Sequence, residues 1–217
     1  MPIFLWSMIK VQPFIYESFD ELYANTYLLI DKNKACVVID PGKDYPGLVD
    51  SIKKNGLTLK AVLLTHGHVD HMRGADKLVD AFNVPFYIGF DDEDKLLDEY
   101  ANCSLFLEEH VTVKSKAQTL ADNEVLHFLS EDILVIAVPY HTSGSVCYYL
   151  KDSELLFTGD FILPHGVGRS DLPSAKPREL RNSMAKIVAL PHQTKIYPGH
   201  GPFSSIEEEL KVNPFVK

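Results

Sequence analysis

Apolar and polar positions alternate in short blocks along the chain. Ile9 to Ile15 and Asn25 to Asp31 (N-T-Y-L-L-I-D) read as strands, and the polar turn Lys32-Asn33-Lys34 leads into a third, Ala35 to Ile39. The N-terminal third therefore opens as a β-meander, closed by the turn Asp40-Pro41-Gly42. Tyr45 to Asn55 has helical spacing, with Leu48, Val49 and Ile52 to one side and Gly56 where a C-terminal cap belongs. Ala61 to Leu64 is a short unbroken apolar run, which predicts a buried strand. Ala75 to Phe82 is helical again and Val84 to Ile88 is a strand. Asp91 to Leu107 predicts a helix followed by a surface loop, its acidic start explained by the helix N-terminus. Val125 to Leu129, Ile133 to Val138, Val146 to Leu150 and Glu154 to Phe157 make a second β region. The β-α-β-α-β alternation says α/β, and two β-rich halves separated by helical segments predict a sandwich of two sheets with helices outside.

With 217 residues and 46% hydrophobic content the chain can close one sizeable core, so a single domain over 1–217 is expected. No apolar stretch approaches the ~20 residues of a membrane helix, and Met1 to Met8 lacks the charged start and cleavage site of a secretory signal. The expectation is a cytoplasmic protein without membrane contact. A formal charge of −9 argues against nucleic acid as a partner, and an anionic substrate would need a local basic patch. Cys36, Cys103 and Cys147 are odd in number and lack metal-type spacing, so each reads as a small buried hydrophobe. Nothing in the sequence sets the oligomeric state.

Chemistry concentrates at Ala61 to Gly74, A-V-L-L-T-H-G-H-V-D-H-M-R-G, where the buried strand stops in three histidines and an aspartate. Loops at the C-terminal ends of strands are where ligands collect in α/β sheets. Imidazole and carboxylate together suit zinc, iron or manganese rather than calcium or magnesium. His66, His68, Asp70 and His71 are four candidate ligands within six residues, more than one ion comfortably takes, which points to two adjacent metals. The second half supplies three more candidates after strands: His141 in P-Y-H-T-S-G-S, Asp160 in F-T-G-D and His200 in Y-P-G-H-G. His110, His127 and His192 read as structural, and His165 as a candidate pocket wall five residues after Asp160.

His-x-His-x-Asp-His resembles the hallmark of the metallo-β-lactamase superfamily, although Met72-Arg73-Gly74 departs from its usual continuation and Tyr140 stands where glycine is usual. The resemblance implies an αββα sandwich of two β-sheets flanked by helices. It assigns His66, His68 and His141 to one metal, Asp70, His71 and His200 to the other, and Asp160 as the bridge, with Asp40 supporting the metal loop. Two divalent ions are implied, zinc first, with iron or manganese as alternatives. His141-Thr142-Ser143-Gly144 with Cys147-Tyr148-Tyr149, Gly166-Val167-Gly168-Arg169-Ser170-Asp171, and Asn213-Pro214-Phe215-Val216-Lys217 resemble segments of glyoxalase II-like proteins. By that resemblance Tyr148, Arg169 and Lys217 contact glutathione. Long glyoxalase II enzymes complete the thioester pocket with a C-terminal helical domain, and none is expected here.

The implied activity is hydrolysis of a small-molecule thioester such as S-2-hydroxyacylglutathione, by attack of a hydroxide bridging the metals, with Asp70 and Asp160 as catalytic carboxylates. Two alternatives share these motifs: a mononuclear iron persulfide dioxygenase, and a metal-stabilised binding module without turnover.

Overall fold

The computed structural model describes residues 9–15, 23–43 and 46–216. Met1 to Met8, Tyr45 and Lys217 lie outside the described residues. Strands β1 (Ile9–Phe14), β2 (Thr26–Asp31) and β3 (Ala35–Ile39) form the expected antiparallel meander. Helix α1 (Pro46–Lys54) then crosses to β4 (Thr58–Leu63), which lies parallel to β3. After the short helix α2 (Val69–Met72) and α3 (Ala75–Phe82), strands β5 (Phe86–Gly89) and β6 (Gln118–Leu120) extend the sheet in parallel.

The second sheet begins with β7 (Val125–Leu126), β8 (Ile133–Ala137), β9 (Val146–Leu150) and β10 (Leu155–Gly159), all antiparallel neighbours. A small hairpin of β11 (Ile162–Leu163) and β12 (Gly166–Val167) follows, then helix α4 (Leu180–Val188). Strand β13 (Lys195–Pro198) returns parallel to β10, and β14 (Ser204–Ser205) leads into α5 (Ile206–Val212).

Alternation along the strands sorts the core into three layers. Tyr27, Leu29, Val37, Ile39, Ala61 and Leu63 of the first sheet meet Val135, Val146, Tyr148, Leu150, Leu155 and Phe157 of the second. Leu28, Cys36, Val38 and Val62 point the other way, under Leu48, Ile52, Met72, Ala75 and Leu78 of the helices. Cys147, Tyr149, Leu156 and Ile196 do the same on the far side, against Met184, Ile187 and Ile206. This is the αββα sandwich. No described helix is long and apolar enough to cross a membrane.

One expectation fails. Residues 91–107 form no α-helix and no surface loop; two 3-10 turns, Phe90–Leu96 and Ser104–Leu107, flank a connection in which Asp92, Lys95, Asn102 and Ser104 are buried. The cause is polar: Lys95 pairs with Asp92 at 2.9 Å, and the Asn102 amide donates to the carbonyls of Lys95 and Val111. The strand expected at Val125 to Leu129 pairs only over its first two residues.

Candidate metal centre

All seven candidate ligands follow strands at one edge of the sandwich. His66 and His68 lie between β4 and α2, Asp70 and His71 within α2, His141 beyond β8, Asp160 after β10 and His200 after β13. Backbone contacts fix these loops to one another. Gly199 N donates to Gly159 O at 2.7 Å, and the Asn25 amide and Tyr27 hydroxyl both donate to Pro198 O, at 3.1 and 2.6 Å. A Cβ on Gly199 would stand 2.3 Å from Asp160 Oδ1 and 2.6 Å from His71 Cε1, so only glycine admits these ligands so close to the chain.

His66 Nε2 and His141 Nε2 approach His68 Nδ1 to 3.1 and 2.9 Å. His71 Nε2 lies 3.4 Å from Asp160 Oδ1, and His200 Nε2 lies 3.0 Å from Asp70 Oδ2 and 3.6 Å from Asp160 Oδ2. Three sets of donors thus converge: His66, His68 and His141; Asp70, His71 and His200; and His66 and His71 with Asp160. His141 Nε2 is 3.6 Å from Asp160 Oδ2, so that carboxylate faces both histidine sets.

The hydrogen bonds behind the rings set their tautomers. Asp40 Oδ1 accepts from Thr65 N, and Asp40 Oδ2 accepts from the Thr65 hydroxyl and from His71 Nδ1 at 2.7 and 2.9 Å. The Thr65 hydroxyl, having donated, accepts from His66 Nδ1 at 3.1 Å. His141 Nδ1 donates to Arg169 O at 2.6 Å. In the neutral ring each bond leaves an inward lone pair on Nε2. His71 Nε2 and Asp160 Oδ1 are buried and have no hydrogen-bond partner. Inward lone pairs beside orphaned donors fit divalent cations, and the nitrogen-and-carboxylate set suits zinc, iron or manganese.

Electrostatics separate the two sets. Burial, reinforced by His71 and neighbouring imidazoles, holds His66 well below its ordinary pKa, and burial beside His141 lowers His68 to about 4. Burial would also depress His71, but Asp40, Asp70 and Asp160 outweigh it and raise that ring. Against the same burial penalty, His71 and His200 bring Asp70 down to about 2, and keep Asp160 ionised as well.

Other expected residues stand elsewhere. Tyr148 does not reach the site: it is buried between the sheets and its hydroxyl donates to Leu64 O at 2.7 Å, because its strand position faces the inter-sheet core. Arg169 reaches the cavity rim, but its guanidinium is bonded to Asp171 at 2.7 and 2.8 Å. Lys217, the third expected glutathione contact, lies outside the described residues. Tyr140 turns into the outer core beside Phe161, and Arg73 turns to Glu109, which explains how both departures from the motif are accommodated. His165 bonds Glu208 at the surface instead of lining the cavity.

Asp92 was hidden from sequence reasoning by its acidic neighbours. It is fully buried and accepts from Gly67 N, Gly144 N and the Thr142 hydroxyl, tying the His66–His68 loop to the His141 loop. A cavity of about 310 Å³ opens over the ligands, walled by Val69, Cys103, Phe106, Leu107, Leu163 and Leu172.

Fold and donor set together define a two-sheet scaffold with a metal-binding His/Asp cluster at its edge. Residues 19–200 match the family described as the metallo-beta-lactamase superfamily, and the chain belongs to it. It is 33% identical over 197 residues to the probable metallo-hydrolase YqgX of Bacillus subtilis, covering 90% of this chain and 93% of that protein. It is 30% identical over 203 residues to the hydroxyacylglutathione hydrolase GloC of Haemophilus influenzae, covering 88% and 92%. Among solved structures, TTHA1623 in a di-iron-bound form superposes with a TM-score of 0.83 at 30% identity, over 94% of this chain and all of that one (100%).

Proposed function

We propose that this protein is a metal-dependent hydrolase that cleaves thioesters, with S-2-hydroxyacylglutathione as the first substrate class to test. The observation that carries this reading is the carboxylate of Asp160, within 3.6 Å of His71, His141 and His200, between two histidine sets. The similarity to GloC supports the thioester, and the similarity to a di-iron protein supports two ions. Divalent ions bound by these ligands would supply an acidified water and a Lewis acid for the substrate carbonyl.

The chain's own residues do the rest. His66, His68 and His141 would hold one ion, Asp70, His71 and His200 the other, and Asp160 both. Asp40 fixes His71 directly and His66 through Thr65, so one carboxylate orients a ligand of each set. In the overall reaction a C–O bond forms from water, the C–S bond breaks, and the proton from water passes to the departing sulfur. Asp70 lines the cavity and is the carboxylate we assign to carry that proton.

The test is to strip the protein with chelator, reload it with zinc, iron or manganese separately, and assay S-lactoylglutathione against metal stoichiometry. Hydrolysis that rises to a maximum near two ions per chain, and is lost together with metal in Asp160→Ala, is the expected result. One iron per chain with oxygen uptake on a persulfide, and no thioester cleavage, overturns it in favour of the dioxygenase.

A further inference from the structure

Resting on the thioesterase reading, the geometry points to a substrate whose arm beside the reacting carbonyl is an uncharged apolar chain or ring, lodged against Phe106, Leu107, Leu163 and Leu172. Those residues and Val69 and Cys103 form the wall of the cavity whose floor is the ligand cluster. Phe106 and Leu107 are 54% and 39% exposed, so large apolar surface is displayed to water directly over the metal ligands. A chain laid along that wall would remove it from water.

The wall is built, not loose. Val69 N donates to Asn102 O at 2.9 Å, which fastens the 3-10 turn Ser104–Leu107 to the helix that carries Asp70 and His71. Asn102 is fully buried, accepts from Ser104 N, and donates to two carbonyls. Cys103 and Glu108, which bracket the turn, both hold left-handed backbone, at φ of 69° and 56°.

Charge argues the same way. Among the described residues that line this cavity, Arg169 is the one arginine or lysine, and Asp171 already takes its guanidinium through two bonds. Beyond the ligand cluster, a carboxylated arm would find on the wall only a compensated arginine at the rim. An alkyl or aryl arm meets uncharged, apolar side chains on the wall. The same chemistry could come from the acyl or from the thiol side of the thioester, and the two sides are separable by experiment.

Two series decide it, both with metal-loaded protein. In the first, acyl-N-acetylcysteamine thioesters run from acetyl to octanoyl, and acetyl thioesters run through S-alkyl groups of the same lengths. kcat/KM should rise by about four-fold per added methylene until the wall is covered, in whichever series carries the arm. In the second, calorimetry follows binding of the matching S-alkyl thioethers, which cannot be hydrolysed, with Phe106→Ala flattening the gradient by about ten-fold from end to end.

A flat profile in both series, or tighter binding of a chain ending in carboxylate than of the methyl-ended chain of equal length, overturns the proposal. Thioethers that bind with the expected gradient while no thioester is cleaved would instead uphold the apolar pocket and remove the thioesterase reading.

Discussion

Asp92 accepts a 2.6 Å hydrogen bond from the Thr142 hydroxyl while taking the Gly67 amide at 2.9 Å, so one buried carboxylate spans the loops that carry His66, His68 and His141. Its counter-ion, Lys95, is buried beside it at 2.9 Å. Asp92→Ala takes from that ammonium its buried counter-ion, leaving it the Asp91 carbonyl at 3.0 Å, and strips three donors of their acceptor, a cost of about 3–5 kcal/mol. For a chain of this size that lowers Tm by roughly 10 °C, measurable by calorimetry. Adding Lys95→Met should recover part of the loss, because the stranded charge is then gone. A shift under about 2 °C for Asp92→Ala would remove the brace.

Asp40 stands at φ 49°, a left-handed conformation that aspartate and asparagine tolerate better than most residues. Asp40→Asn therefore keeps the turn but replaces an acceptor oxygen with a donor, opposing Thr65 or His71. Since its partners orient ligands in both sets, metal affinity should fall about 10- to 100-fold while the fold survives. Chelator competition on the stripped and reloaded variant reads this directly. Affinity equal to the parent would show that the rings are held by packing alone.

Much of this was legible because the signals are local. The unbroken run before Thr65 and the histidine spacing after it predict strand, loop and ligands together, and β4 and the cluster follow that pattern. Strand periodicity also carries information about Tyr148, since Tyr148 and Val146 share a face and Cys147 takes the other. Resemblance moved that tyrosine into the substrate site; the pleat returns it to the core. Asp92 was illegible for a different reason. In F-D-D-E-D-K every acidic residue looks alike, and only the fold decides that Asp92 turns inward to Lys95 while the Asp94 side chain is 78% exposed.

The Arg169–Asp171 pair separates the glutathione reading from a structural one. Both side chains are largely exposed, at 63% and 69%, so the pair itself contributes little to stability. If Arg169 serves an anionic thiol arm, Asp171 competes for it. Asp171→Ala should then lower KM for S-lactoylglutathione, and Arg169→Ala should raise it, each by about two- to five-fold with kcat held. Movement of both in the same direction would assign the pair to holding the loop whose carbonyl receives His141.

Cys103 offers a reporter inside the cavity. Burial, with the nearby Asp70 carboxylate, pushes its thiol up to about 11, while Cys36 is pushed to about 12 by burial and Cys147 is enclosed entirely. A raised thiol pKa disfavours thiolate in the folded chain. The native state therefore keeps this contribution below the ordinary cysteine pKa of about 8.5 and loses it as pH rises through about 11. Alkylation of the metal-free protein by iodoacetamide should be slow near neutral pH and climb about ten-fold per pH unit between about 8 and 10, because thiolate is the nucleophile. Cys103, on the cavity wall, should label first, with Cys36 and Cys147 protected until the protein unfolds. An S-hexyl thioether lodged against Phe106 should slow Cys103 several-fold without touching the denatured rates. Equal labelling of all three cysteines, or no protection by that occupant, would take Cys103 off the cavity wall and with it the apolar arm of the site.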